Sequence, residues 1–173
     1  MEHDRTTDAA LPRDIEEILA RAEREVPDPV RSGPRASLDR EERIIKETLL
    51  RMASLIEERI RLTIEALETH DAAQALTVIE GDAEINALLA EALDHIIRTI
   101  ATQAPVARDL RFLLTLDHIA YELERIGDSI ANVAKRVRDV APHAPLAEYV
   151  GIPEMGRLAA RILADVGRAL VDS

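Results

Sequence analysis

Residues 104–136 read APVARDLRFLLTLDHIAYELERIGDSIANVAKR, and the order of apolar and charged side chains in this stretch decides the fold class. Phe112, Leu116, Ile119, Leu123, Ile126, Ile130, Ala134 and, just beyond, Val137 recur every three to four residues, the spacing that gathers them on one side of an α-helix. Asp117, Tyr121, Glu124, Asp128 and Asn132 then project on nearly the opposite side. Pro105 is expected to open this helix at a position where a missing N–H costs nothing, and the helix to stop before VAPHAP.

The flanking sequence repeats the pattern. A helix from about Leu38 to Glu68 carries Leu49, Met52, Leu55, Ile56, Ile60, Thr63 and Leu67 on one face and ends at the polar turn around His70 and Asp71. Another from about Asp71 to Gln103 carries Leu76, Ile79, Ala83, Leu89, Leu93, Ile96 and Ile100. Three such helices joined by short turns predict an all-α fold, an antiparallel three-helix bundle over residues 38–140. The composition agrees, because a chain 47% apolar but only 2% aromatic packs Leu, Ile, Ala and Val along helices.

Breakers place the boundaries. VPDPVRSGPRAS (26–37) reads as a linker, so residues 1–37 form an N-terminal extension in which DIEEILARAEREV (14–26) has the spacing of a short amphipathic helix. A fourth helix is expected over 152–173. Set against the first at an offset of 103 residues, it pairs Met52 with Met155, Leu55 with Leu158, Ile60 with Leu163, Ala66 with Ala169 and Leu67 with Leu170, the start of an internal repeat.

Charge and composition remove several functions. A net charge of −11 gives nucleic-acid phosphates little to hold. The absence of cysteine excludes disulfides, thiolate metal sites and a cysteine nucleophile. No apolar run is long enough to insert in a membrane, and the acidic start is unlike a signal peptide, so a cytoplasmic protein is expected. None of the five histidines follows a glutamate by three residues, and no phosphate loop or nucleophile elbow is present; the histidines read as surface or helix-end residues.

What remains is oxygen chemistry on helix faces. Glu124 and Asp128, one turn apart, with Asn132 and Asp117 on the same stripe, have the donor type that a divalent cation or iron accepts. Asp82 and Asn86, also i to i+4, form a weaker set beside Glu80 and Glu84. Carboxylates at this spacing also occur as a solvated polar face. Arg108 and Arg111 flank Asp109 at a helix start; they fit either an anion site or, as the preferred reading, a salt-bridge network tying helix starts together. Gly127, costly inside a helix, suggests close approach by another backbone or a crowded site beside Asp128.

The 104–136 run closely resembles the signature helix of the PhoU family of phosphate-uptake regulators, and VIEGDAEINAL (78–88) resembles that family's second-helix pattern. The resemblance covers residues 38–172. It implies tandem three-helix bundles, of which this chain holds one and the beginning of a second. It also implies a non-enzymatic regulator that binds a phosphate transporter ATPase and its sensor kinase, with surface metal sites that fall here on Glu124 and Asp128. Asn86 stands where the family usually has a second acid, so a site shared with Asp82 is expected to be weak or absent. With most of the second bundle missing, the fourth helix is expected either to drive homodimerisation or to dock on the first bundle. The alternative function is a metal-binding protein or enzyme using the carboxylate stripe; a purely structural helical domain is the third.

Overall fold

The computed structural model of the chain describes residues 33–143 and 151–171; the expected helix over 14–26 lies outside them. All five described elements are helices: α1 Pro34–Thr69, α2 Ala72–Glu80, α3 Asp82–Gln103, α4 Arg108–Val140 and α5 Gly151–Val171. α1 runs down, α2 and α3 return, α4 runs down again, and α5 climbs back against α1. The ends fix these directions: Gln103 bonds Ser37, and Asp109 meets Arg35, both near the start of α1.

Local chemistry sets the helix ends. Pro34, read from sequence as linker, occupies the first turn of α1, where proline is preorganised, so the helix begins four residues earlier than expected. α1 ends at His70 in the left-handed conformation, and the Asp71 carboxylate accepts from the N–H groups of Ala73 and Gln74, both at 2.9 Å, capping α2. Pro105 does not open α4. Ala104 and Ala107 both take positive φ, and the helix starts at Arg108 once the chain has turned through 104–107.

The expected single helix over 71–103 is broken at Gly81. There the buried Arg59 guanidinium lies against the backbone; a Cβ on Gly81 would sit 2.9 Å from Arg59 Nη2. Arg59 Nη2 reaches Glu84 at 3.5 Å, while Nη1 is buried with no hydrogen-bond partner in the described structure. Arg59 falls in the buried row of α1 between Ile56 and Thr63, a placement the apolar pattern alone does not reveal.

The core is filled from α1 by Ile45, Leu49, Met52, Ile56 and Ile60, as the sequence predicted for Leu49 onward. On the other two strips the prediction holds at Ile96, Leu116, Leu123, Ala134 and Val137 and is off by about one residue elsewhere. α2 and α3 bury Ala75, Val78, Ile85, Leu88, Ala92, Ile96 and Thr99, whereas Leu76 is 41% exposed. α4 buries Leu113, Leu116, Ala120, Leu123, Gly127, Ala131, Ala134 and Val137, whereas Ile126 is 37% exposed. Apolar residues stand on both sides of each true seam, so periodicity fits either row. Close packing selects the row with small residues, as at Gly127, where a Cβ would lie 2.8 Å from Ile85 Cδ1.

α5 docks on α1 through Pro153, Gly156, Ala160, Leu163, Gly167 and Leu170. This realises the docking alternative for the fourth helix. Gly156 faces Ile64 and Gly167 faces Leu50, which makes the pair antiparallel.

The Asp71 cap gives a direct test. Asp71→Ala should lower stability by about 1 kcal/mol in urea unfolding, and Asp71→Asn should lose much less, because an asparagine oxygen caps nearly as well.

Candidate functional site

The one-residue rotation of α4 decides where its acids stand. With Gly127 in the seam, Glu124 and Asp128 lie along the border with α3 instead of on the far side of the helix. Gly127 lets α3 come close, and Asp82, in the first turn of α3, faces the same border. The effect is electrostatic as well as geometric. The Glu124 carboxyl is held above its ordinary range, first by partial burial, then by the charges of Asp128 and Asp82, with Arg125 acting the other way. Three of the acids singled out from sequence therefore feel one another across two helices.

Their neighbours are polar and neutral or cationic. The Asn86 amide donates to Asp82 at 3.3 Å, so the amide supplies one of the contacts this carboxylate makes. Lys135 donates to Asn132 at 3.1 Å and Arg125 to Glu122 at 2.7 Å, while Asp128 and Asn132 themselves are exposed. Asp117 lies two turns away from Glu124, with His118 Nδ1 at 3.9 Å. Among the described residues, no three carboxylate or imidazole groups converge closely enough to hold a metal ion. The donor type suits a hard cation, but the arrangement is an open acidic face.

A second cluster sits at the other end of α4. Asp109 accepts from Arg35 at 2.9 Å, and Arg35 also reaches Asp39 at 3.2 Å. The Glu42 carboxyl, pushed up first by burial and then by Asp109 and Asp39, belongs to the same group. This ties helix starts together, the preferred reading of that region, but the arginine that does so is Arg35, while Arg108 and Arg111 remain exposed. The signal for Arg35 was present in the sequence, one residue after a proline able to begin a helix. His95 is also placed differently: it is neither at the surface nor at a helix end, being half-buried in α3 with Nδ1 3.1 Å from Glu41. No helix of the described residues is long and apolar enough to cross a membrane.

Residues 49–137 match the family described as the PhoU domain. A protein of Aquifex aeolicus (strain VF5), named phosphate-specific transport system accessory protein PhoU homolog, is 36% identical over 120 residues, 69% of this chain and 54% of the relative. The phosphate-specific transport system accessory protein PhoU of Serratia marcescens is 30% identical over 122 residues, 70% of this chain and 50% of the relative. A PhoU homolog of Clostridium acetobutylicum reaches 41% over 91 residues, 52% of this chain and 42% of the relative. The chain spans about half the length of the curated relatives it matches.

The crowding of the acids has a measurable sign. A carboxyl whose folded pKa lies above its unfolded one favours folding at low pH, and that contribution is lost as pH rises from the unfolded value through the folded one. Glu124→Gln should therefore raise the urea midpoint at neutral pH, and the gain should vanish below about pH 4, where glutamate is itself protonated. An equal midpoint at neutral pH would contradict the crowding.

Proposed function

The chain belongs to the PhoU domain family, and from that premise we propose that it is an accessory regulator of phosphate transport, acting in the cytoplasm by binding proteins and not by catalysis. The observation that carries the reading is the α3–α4 border, where Asp82, Glu124 and Asp128 crowd negative charge on an exposed surface. The matched segment 49–137 contains this whole border. Like charges held together are relieved by a cation or by a basic partner surface, so this face gains free energy from binding one. The partners proposed are the transporter ATPase and the sensor kinase of the phosphate system.

A bound divalent metal or iron is the second part of the proposal. Glu124 and Asp128 would hold it, with Asp82 or Asn132 adding an oxygen. Because no three acids or imidazoles converge within the described residues, binding by this chain alone is expected to be weak, and partner groups would complete the coordination.

The test is recovery of partners from cells grown in high phosphate, comparing the parent chain with the Glu124→Ala, Asp128→Ala double variant and measuring metal on both. The parent should recover a transporter ATPase or sensor kinase, and the double variant should recover several-fold less. Equal recovery by both would remove the acidic face from partner binding. Recovery of neither protein by the parent would overturn the regulatory reading.

A further inference from the structure

The outer side of α3 is covered more than its described neighbours account for. α3 packs on α1 and α4 and touches α2, its neighbour in sequence. A step of 100° per residue sets Asp94 opposite the buried row of Ile85, Leu88, Ala92, Ile96 and Thr99, with Arg98 one turn further on. A pair in that position should stand in water, as Arg61 and Glu65 do on α1, 64% and 51% exposed. The Asp94 and Arg98 side chains, 3.3 Å apart, are only 22% and 21% exposed. Across from them on α1, Ile44 lies between Glu41, which meets His95, and Thr48, which meets Glu91; it is half-buried although it stands outside the core cluster. Ala87 and Ala101 complete the strip with side chains small enough for another helix to come close.

We infer that the cover is the chain's own N-terminal segment, residues 14–26, docked as a helix along the outer groove between α3 and α1. Three features select this occupant. The first is its apolar side. Ile15, Ile18, Leu19, Ala22 and Val26 fall within one narrow arc, and a helix of this length is marginal in water unless such an arc is buried. The second is reach. The chain enters α1 at Pro34, and Ser37, in the first turn, bonds Gln103 at the end of α3. Residues 27–33 can span roughly 20 Å when extended, and a helix over 14–26 is about 20 Å long against about 33 Å for α3. The segment therefore arrives at the end of α3 that carries Arg98, and a short connection favours an antiparallel neighbour of α1. Of the other residues outside the described ones, 144–150 follow α4 at the opposite end of the bundle, and 172–173 follow α5 on another side of α1.

The third feature is charge. The Ser37–Gln103 and Glu41–His95 contacts bracket the level at which Arg40 of α1 stands across from Arg98 of α3, so arginines flank this end of the groove on both sides. The apolar arc of the segment is edged by Glu16 and Glu23 on one side and by Asp14 and Glu25 on the other, with Arg21 further round. In a chain of net charge −11, an acidic helix finds few surfaces with basic rims, and this groove is one. The inference does not depend on the regulatory reading, because residues 14–26 lie outside the matched segment 49–137.

Amide hydrogen exchange on the full chain tests the docking. Residues 15–26 should exchange at least about tenfold more slowly than an open peptide. Ala87→Glu changes an exposed residue and would be nearly neutral on an open helix face; here it should remove that protection while α1 and α4 stay protected, because it sets a carboxylate under the segment. Leu19→Glu should have the same effect from the other side of the contact. A parent without protection at 15–26 would overturn the inference. Protection that is lost in Leu19→Glu but undiminished in Ala87→Glu would place the segment on another surface and overturn this pairing. Protection that disappears on dilution would assign the groove to the segment of a second chain and overturn docking within one.

Discussion

Gly127 of α4 faces Ile85 of α3, where an added Cβ would lie 2.8 Å from Ile85 Cδ1, and the seam between the two helices is built around that contact. A glycine inside a helix costs up to about 1 kcal/mol against alanine, so its place here has to be repaid by packing. The packing is the approach of α3 to α4. It turns α4 about its axis until Gly127, Ala131 and Ala134 form the seam, and it carries Glu124 and Asp128 to the border with α3. The same turn leaves Ile126 exposed and Ile119 and Ile130 at the edge of the core, along the groove beside α5. One close contact thus sets both the acidic face and the apolar groove.

The opposite surfaces differ in how they store free energy. On the acidic side, partial burial and then the charges of Asp128 and Asp82 hold the Glu124 carboxyl above its ordinary range. On the apolar side, α5 leaves large aliphatic side chains in water that its counterpart row in α1 buries. Both are surfaces whose free energy falls on contact, one with positive charge and the other with an apolar helix.

Arg59 and Gly81 show a smaller instance of the same coupling. A buried guanidinium against a glycine breaks what the apolar pattern reads as one helix and sets where α3 begins. Asp82 is the first residue after the break. Its neighbour in sequence, Gly81, therefore packs directly against a side chain of α1.

By itself the sequence determined much of what depends on near neighbours. It specified helices throughout, the buried row of α1 from Leu49 to Leu67, the turn at His70 and Asp71, and the one-turn spacing of Glu124 and Asp128, because backbone hydrogen bonding and the 100° step per residue are local. The signature run of α4 also carried the family. Tertiary structure decided which of two adjacent apolar rows faces inward on α3 and α4. Leu88 and Leu89, Ile96 and Ile97, and Phe112 and Leu113 are neighbours of similar hydrophobicity, so both rows satisfy the same period. Only the shape of the opposing helix, with a glycine at one point and an isoleucine facing it, distinguishes them. That choice is made by close packing between residues about forty positions apart, which no window along the chain contains.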